Sequence, residues 1–301
     1  MKQKNKYSLL PYEIEPVYGL SPSDAQFYGW EIEKFNIPEH WKFSQGEGIV
    51  IAVIDTGCDL YHDDLKNNLI EGINFVEKNK DPMDRCGHGT HVAGTIAAEN
   101  NGLGMVGIAP KAKIMPIKAL DDRGSGTNQD ITKGIYWAID KKVDFITMSL
   151  GSPVPNRELE TAIEAARQKN IIVFCAAGNS GENVDIMYPA KYDYPISIGA
   201  IDQNLNRTDF TCSGDELDFL APGHDILSCY PGNTYAKMSG TSMSNPFVVG
   251  CAALTKSYYS NKILSKDDYV NIYREKTISL VNKKYKGIRK YEGYGIIQPV
   301  P

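Results

Sequence analysis

Short apolar runs rich in β-branched residues recur along the chain, and small or polar residues follow each of them. The clearest runs lie at 49–54, 145–148 and 171–174. They lack the apolar–polar alternation of a half-exposed strand, so they predict strands buried on both faces of a parallel sheet. Two runs of small apolar residues, 92–98 and 248–254, predict closely packed helices. The pattern therefore predicts an α/β domain with helices flanking a mostly parallel sheet.

Three polar residues stand at the ends of these predicted elements. Asp55 closes the first strand and precedes a Thr-Gly turn, where open α/β sheets place their functional sites. His88 lies between two glycines just before the first helix, and Ser242 lies just before the second. An Asp, a His and a Ser together can turn a hydroxyl into an acylating nucleophile. Taken singly, Asp55 also fits an ordinary turn and Ser242 an ordinary helix N-cap.

Two other chemistries use similar residues. His88 and His91 are three positions apart with Asp84 nearby, which raises the alternative of zinc, but the pattern His-Glu-x-x-His is missing. We interpret His91 as a structural histidine. The Gly-x-Ser-x-Gly turn of α/β-hydrolases is excluded because position 244 is Ser rather than Gly.

Four segments together resemble those of subtilisin-like serine proteases. They are Ile-Asp-Thr-Gly at 54–57, Gly-His-Gly-Thr-His-Val-Ala-Gly at 87–94, Ala-Ala-Gly-Asn at 176–179 and Gly-Thr-Ser-Met-Ser-Asn-Pro at 240–246. The order Asp, His, Ser along the chain is also that of subtilisin. The resemblance implies the three-layer subtilase fold in a single domain and a serine endopeptidase of broad specificity that works through an acyl-enzyme.

The resemblance also implies a role for each residue. Ser242 is expected to attack, His88 to carry the proton and Asp55 to orient His88. Asn179 and the Ser242 backbone N–H are expected to bind the oxyanion. The rival hypothesis is a catalytically silent subtilase scaffold that binds peptides or a partner. Its sign would be a missing member of the triad, and none is missing.

Two glycine-containing loops match the family's substrate cleft, in which the substrate adds as a strand. The expected substrate-binding residues are Gly124, Ser125, Gly126, Ser149, Leu150 and Gly151. Glycine suits such positions because the substrate main chain must approach closely. The resemblance also implies a pocket for the residue before the scissile bond, lined by Ala176, Ala177, Gly178 and Met187. The bulk of Met187 predicts a shallow pocket.

The segment before the core is predicted to be a regulatory extension, residues 1–24, followed by the peptidase domain, residues 25–301. Its Leu-Leu-Pro-Tyr sequence at 9–12 is similar to the Leu-Ile-Pro-Tyr element of intracellular subtilisins. In those enzymes the extension blocks the cleft until it is removed, and here we expect cleavage near 16–24. A proline beside the scissile bond has no N–H to donate. The alternative is a disordered tail or a surface strap.

Calcium is the cofactor that the resemblance implies. The expected ligands are Asp64, Glu99, Asn101, Leu103 and Met105, with backbone carbonyls supplied by 99, 103 and 105. Calcium prefers such carboxylate and carbonyl oxygens. The remaining N-terminal ligand is left between Ser21 and Asp24.

The resemblance implies polypeptide substrates as partners, and composition argues against two other classes. The formal net charge of −5 argues against nucleic acid, and no apolar run approaches the length of a membrane span. The basic N-terminus has no apolar signal sequence after it, which predicts a cytoplasmic protein. The six cysteines lack the spacing of a disulfide framework and are expected to be free thiols. Intracellular subtilisins tend to form homodimers, so a second copy of the chain is a candidate partner.

One residue departs from the family pattern, and the role of one stretch is left open by it. Phe247 stands where the family usually has a histidine, a position that is structural rather than chemical. The stretch 282–301 is basic and rich in tyrosine, and the sequence does not decide whether it covers the core or mediates association.

Overall fold

A computed structural model describes residues 6–17, 23–78 and 80–300. The strands are β1 (Lys6–Leu9), β2 (Glu13–Val17), β3 (Val50–Asp55), β4 (Ile73–Asn74), β5 (Lys113–Lys118), β6 (Ser125–Thr127), β7 (Phe145–Met148), β8 (Leu150–Gly151), β9 (Ile172–Ala176), β10 (Ile196–Ile201), β11 (Phe219–Pro222), β12 (Ile226–Tyr230) and β13 (Thr234–Ser239). The helices are α1 (Trp30–Lys34), α2 (Ile37–His40), α3 (His88–Ala97), α4 (Asn128–Asp140), α5 (Arg157–Gln168), α6 (Thr241–Tyr258), α7 (Lys266–Arg274) and α8 (Arg289–Glu292).

A seven-stranded sheet forms the centre of the molecule, in the order β11-β10-β9-β7-β3-β5-β4. All of its strand pairs are parallel. The three central strands, β9, β7 and β3, are buried at almost every position, which is why their sequences are apolar throughout rather than alternating. Their carboxyl ends meet at one edge of the sheet, so the residues that follow them are brought together.

Helices cover both faces of this sheet. Helices α3 and α6 pack against each other and against the sheet, and α4 and α5 form a second such pair. Helix α6 is buried continuously from Thr241 to Thr255. Within it Phe247 packs edge-on against Phe35, with ring centroids 5.1 Å apart, so an aromatic contact fills the position of the family histidine. The predicted single three-layer α/β domain is confirmed.

The C-terminal stretch covers the core. Tyr285, Ile296 and Ile297 are buried, and Ile296 forms a β-bridge to Leu220 of β11. The Arg207 guanidinium lies over the ring of Tyr285 at 5.3 Å. The sequence left open whether this stretch covers the core or mediates association, and the structure shows that it covers the core.

All six cysteines are unpaired thiols, as predicted, and Cys86 is the one that is partly exposed. Within the described ranges, no helix combines the length and apolar content needed to cross a bilayer.

The N-terminal extension forms two separate strands on the surface of the domain. β1 lies between β6 and β8 and pairs antiparallel with both, completing a three-stranded sheet. β2 pairs antiparallel with β13 in a second three-stranded sheet that also contains β12. The extension is therefore neither a tail nor a loosely attached strap, because main-chain hydrogen bonds hold it at two places.

Candidate active site

Asp55 and His88 form a buried pair at the carboxyl edge of the sheet. Asp55 is the last residue of β3, and its Oδ1 lies 2.8 Å from His88 Nδ1. The same oxygen accepts from the backbone N–H of Thr56 at 2.8 Å. A carboxylate only accepts, so Nδ1 carries the proton and Nε2 is left with its lone pair. Among the described residues, His88 Nε2 has no hydrogen-bond partner.

The start of α3 is built so that it can approach the end of β3. His88 is the first helical residue, and the next N–H, that of Gly89, donates to Thr56 Oγ1 at 2.9 Å. A Cβ at position 89 would lie 2.1 Å from the carbonyl oxygen of Gly57, so no larger residue fits this contact. Glycine at 89 thus allows the histidine and the aspartate to meet.

The residues of the zinc alternative have structural roles instead. Asp84 accepts from the backbone N–H groups of Cys86, Gly87 and Thr90, which caps the start of α3. His91 is fully buried, and its Nε2 contacts the carbonyl oxygens of Ile226 and Ala236 at 3.0 and 3.1 Å. Burial lowers the pKa of His91 to about 3, which keeps its ring neutral.

Ser242 and Asn179 complete the cluster from two other elements. Ser242 is in the first turn of α6, and Asn179 follows β9. The hydroxyl of Ser242 donates to the Ser149 carbonyl oxygen at 3.3 Å. Thr241 fixes the Asn179 amide, because its N–H and Oγ1 both donate to Asn179 Oδ1, at 2.9 and 2.7 Å. This contact directs the Nδ2 donor of Asn179 away from Thr241. Nδ2 donates instead to the Pro11 carbonyl oxygen at 2.6 Å.

Residues 6–9 of the extension lie between the two segments that are expected to bind substrate. Tyr7 is paired with Gly126, and Leu9 with Leu150. Ser8 is paired with Ser125 on one side and with Gly151 on the other, so β1 joins the two cleft strands as a substrate strand would.

Close approach explains two of the cleft glycines. A Cβ on Gly124 would lie 2.6 Å from Leu9, and a Cβ on Gly151 would lie 2.5 Å from Leu10. Gly124 also has φ +71°, a left-handed conformation that favours glycine. Any side chain at 124 or 151 would therefore require the side chain of Leu9 or Leu10 to move.

One predicted pocket residue, Met187, lies near the side chain of Leu10, because both approach Gly151. Leu10 is 2% exposed. Met187 approaches Gly151 and Gly178 closely, and its N–H donates to the Ala177 carbonyl at 2.9 Å. Ala176 and Ala177 are buried at the end of β9. Leu10 thus lies over Gly151 and beside Met187.

Tyr12 covers the ring of His88. Its ring centroid is 5.3 Å from that of His88, with the two planes inclined at 53°. His88 and Ser242 are both 0% exposed. Both residues are therefore shielded from solvent, and Tyr12 contributes to this at His88.

The comparisons with known proteins agree with this geometry. Residues 46–295 match the family model described as the subtilase family. The chain belongs to the subtilase family. It is 43% identical over 278 residues to an intracellular serine protease of Paenibacillus polymyxa, covering 88% of this chain and 83% of the relative. It is 40% identical over 257 residues to the major intracellular serine protease of Bacillus subtilis (strain 168), covering 81% of each.

An alkaline protease of Alkalihalobacillus alcalophilus is 42% identical over 251 residues, covering 81% of this chain. The subtilase spans only 65% of that relative's length. The predictions of a subtilisin-like family and of a serine endopeptidase are confirmed by these findings.

The expected calcium residues of the subtilase lie around one point beside β13. The carbonyl oxygens of Glu99, Leu103 and Met105 converge on Gln26 Nε2, at 2.8, 3.3 and 3.4 Å. Asn101 Oδ1 accepts from the Leu103 N–H at 2.9 Å and shapes the loop. Three converging carbonyls form a site that a hard cation fits.

Asp64 adds a buried carboxylate to this group. Its Oδ2 accepts from the Met105 N–H at 2.9 Å and from the Tyr235 hydroxyl at 2.6 Å. Its Oδ1 is buried without a hydrogen-bond partner among the described residues, and burial raises the pKa of the carboxyl. Burial disfavours the ionised carboxylate, and a cation at this oxygen would stabilise it. These residues therefore fit calcium.

Gln26 is the site residue that sequence reasoning missed. Ser21, one of the two candidates considered, lies outside the described residues, and the Asp24 carbonyl accepts from the Gly104 N–H. Turning the Gln26 amide by 180° would place an oxygen among the three carbonyls, the arrangement that a cation favours. The available signal was an uncharged amide just before the core, which the sequence does not distinguish from neighbouring polar residues such as Ser23 and Asp24.

Proposed function

We propose that this subtilase cleaves polypeptides through an acyl-enzyme on Ser242 and that its N-terminal extension, residues 1–24, inhibits the peptidase domain, residues 25–301, until it is cut. Asp55 holds His88 in the tautomer protonated on Nδ1. When the extension leaves, Ser242 Oγ exchanges the Ser149 carbonyl for His88 Nε2, which takes its proton.

Asn179 supplies the electrostatic part of the mechanism. Its Nδ2 is aimed into the cleft by the two bonds to Thr241 and already binds a carbonyl oxygen there. Together with the Ser242 N–H at the start of α6, it stabilises the negative charge that develops on the scissile carbonyl oxygen. The donor is oriented before substrate arrives, so little reorganisation is needed in the transition state.

The observation that carries the proposal of inhibition is a mismatch in register within the occupied cleft. The Leu10 side chain lies beside Gly151 and Met187, in the predicted pocket for the residue before the scissile bond. The carbonyl at Asn179, however, belongs to Pro11. The bond after Leu10 is therefore displaced from the reacting position by about one residue.

Proline explains why the displaced strand is stable. Its ring fixes φ and removes the N–H at position 11, so the chain bends where a substrate would continue straight. The extension keeps the main-chain pairing of a substrate, but the side chain in the pocket belongs to Leu10 and the carbonyl at Asn179 belongs to Pro11. It is thus a bound peptide that is poorly cleaved.

Calcium is part of the proposal as a stabilising ion. Asp64, Asn101 and the carbonyls of Glu99, Leu103 and Met105 hold it, with Gln26 as a further ligand. It acts on stability because the loop 99–105 and the segment at Gln26 are joined through it. The catalytic steps use other residues.

The protein is proposed to act inside the cell, in the cytoplasm. Two of its relatives carry names that describe intracellular proteases. Free thiols suit a reducing compartment. The expected homodimer is tested by sedimentation of the full chain at several concentrations.

A fluorophosphonate probe tests the catalytic proposal directly. Full-length protein and its Ser242→Ala variant are incubated with the probe in calcium, and their intact masses are measured. We expect one adduct on the wild type only, appearing together with loss of N-terminal mass. The silent scaffold predicts no adduct, even on a chain that begins near Asp24 and has an open cleft.

A further inference from the structure

The edge of β13 leads directly to the catalytic serine. This strand ends at Ser239, three residues before Ser242, and its inner edge is paired with β12. Its outer edge is paired only with β2 of the extension among the described residues. Removal of the extension therefore exposes a row of unpaired N–H and C=O groups that begins at the active site.

The register of β2 assigns positions along this edge. The Pro11 carbonyl at Asn179 marks the place of a scissile carbonyl. Glu13, two residues further on, is paired with Ser239, and Glu15 is paired with Lys237. A substrate in the same register would place its second residue after the scissile bond opposite Ser239 and its fourth opposite Lys237.

Lys237 is the exposed side chain in the middle of this edge. The other paired positions of β13, at 235, 236, 238 and 239, are buried. Glu15, opposite Lys237 in the extension, is exposed as well. Directly opposed side chains of antiparallel strands approach to about 5 Å between Cβ atoms. The extension thus presents an acidic residue to the one exposed cation of β13.

We propose that the β13 edge, once vacated, binds the part of a polypeptide substrate that follows the scissile bond, as an added antiparallel strand reaching about the sixth residue. Lys237 favours an acidic residue at the fourth of these positions. This inference rests on the proposed endopeptidase function. It identifies the favoured substrate as a long extended segment. A short loop could not occupy both positions that the extension vacates, the one between β6 and β8 and the one along β13.

Hydrolysis of internally quenched peptides by the full chain tests the inference. The peptides share one sequence before the scissile bond and carry either two or six residues after it, with Glu or Lys as the fourth. Ratios of kcat/KM are compared, since a fraction of molecules with a covered cleft lowers every rate equally. If none of the peptides is cleaved after intact mass has confirmed loss of the extension, the proposed function fails and the inference with it.

We expect the six-residue peptide to be cleaved at least about tenfold more efficiently than the two-residue peptide, since each added main-chain hydrogen bond contributes a factor of about 2 to 12. Glu should be preferred over Lys at the fourth position by about 2- to 5-fold, and less at high salt. Lys237→Glu should reverse this preference, whereas Lys42→Glu, an exposed lysine outside β13, should leave it unchanged. Equal efficiencies for the short and long peptides, or a preference that survives Lys237→Glu, would overturn the inference while leaving the endopeptidase function intact.

Discussion

The side-chain amide of Asn179 donates to the carbonyl oxygen of Pro11 at 2.6 Å, so the proposed oxyanion donor is occupied by the protein's own extension. The same extension pairs with β6 and β8 before this point and with β13 after it. In the proposed function, inhibition and substrate binding therefore use the same hydrogen-bonding groups. It follows that substitutions which weaken the binding of the extension, or make it easier to cleave, should change the rate of activation.

Replacing Pro11 should make the extension a better substrate. In Pro11→Ala the backbone regains an N–H and a freer φ, so the Leu10 carbonyl can move to Asn179. We expect faster loss of residues 1–10, followed by intact mass over time.

The matched control is Pro155→Ala, which changes an exposed proline outside the extension. It should be processed at the wild-type rate, and Pro11→Ala combined with Ser242→Ala should not be processed at all. An unchanged processing rate in Pro11→Ala would contradict the register argument.

Removing the Asn179 amide should lower turnover without a matching loss of binding. For Asn179→Ala we expect kcat to fall by about 10²–10³ with little change in KM, a magnitude taken from the corresponding donor of subtilisin. Steady-state kinetics of processed protein gives both constants. Asn183→Ala, an exposed amide in the same loop region, is the control; a rise in KM with unchanged kcat would assign Asn179 to substrate binding alone.

Calcium should raise the melting temperature through Asp64. At a free concentration of about 100 times Kd, an ion that binds only the folded state adds about 2.7 kcal/mol to the free energy of unfolding. For a chain of this size, with an unfolding entropy of about 2.1 cal/mol/K per residue, that corresponds to roughly 4 °C. Thermal denaturation in calcium and in a chelator measures the difference.

Neighbouring aspartates provide the control for this prediction. Asp64→Asn should lose the calcium effect, whereas Asp63→Asn should keep it, because Asp63 is exposed and paired with Lys66. A chelator that leaves the melting temperature of the wild type unchanged would count against the site.

Glu31 should make the protein less stable as the pH rises. Burial raises the pKa of Glu31 from 4.5 to about 7. The folded state therefore holds this proton more tightly than the unfolded state, and the free energy of unfolding falls between about pH 4.5 and pH 7. Removing the carboxyl group should raise the free energy of unfolding above pH 7 by up to about 3 kcal/mol.

Glu31→Gln should accordingly melt at a higher temperature than the wild type at pH 8 and show little difference at pH 4.5. Thermal denaturation at fixed calcium across this range measures it. Glu39→Gln, an exposed glutamate in α2, should follow the wild type at every pH. A Glu31→Gln protein that is less stable at pH 8 would show that the carboxylate is needed in its charged form.

The sequence by itself determined the buried strands and the residues at their carboxyl ends. Apolar runs without alternation gave β3, β7 and β9, because strands covered on both faces have no polar side. The motifs around Asp55, His88 and Ser242 identified the family, since each requires particular small neighbours; at Gly89 the structure shows why, with no room for a Cβ.

Only the tertiary structure decided how the extension is held. Residues 13–17 have no strong strand pattern of their own, and β2 forms because the edge of β13 offers partners for its main chain. The Pro11 carbonyl reaches Asn179 across 168 positions of sequence, and the Gln26 amide meets three carbonyls of the loop 99–105. Such contacts depend on where distant backbone groups come to lie in the fold, whereas local side-chain patterns report only which faces are buried.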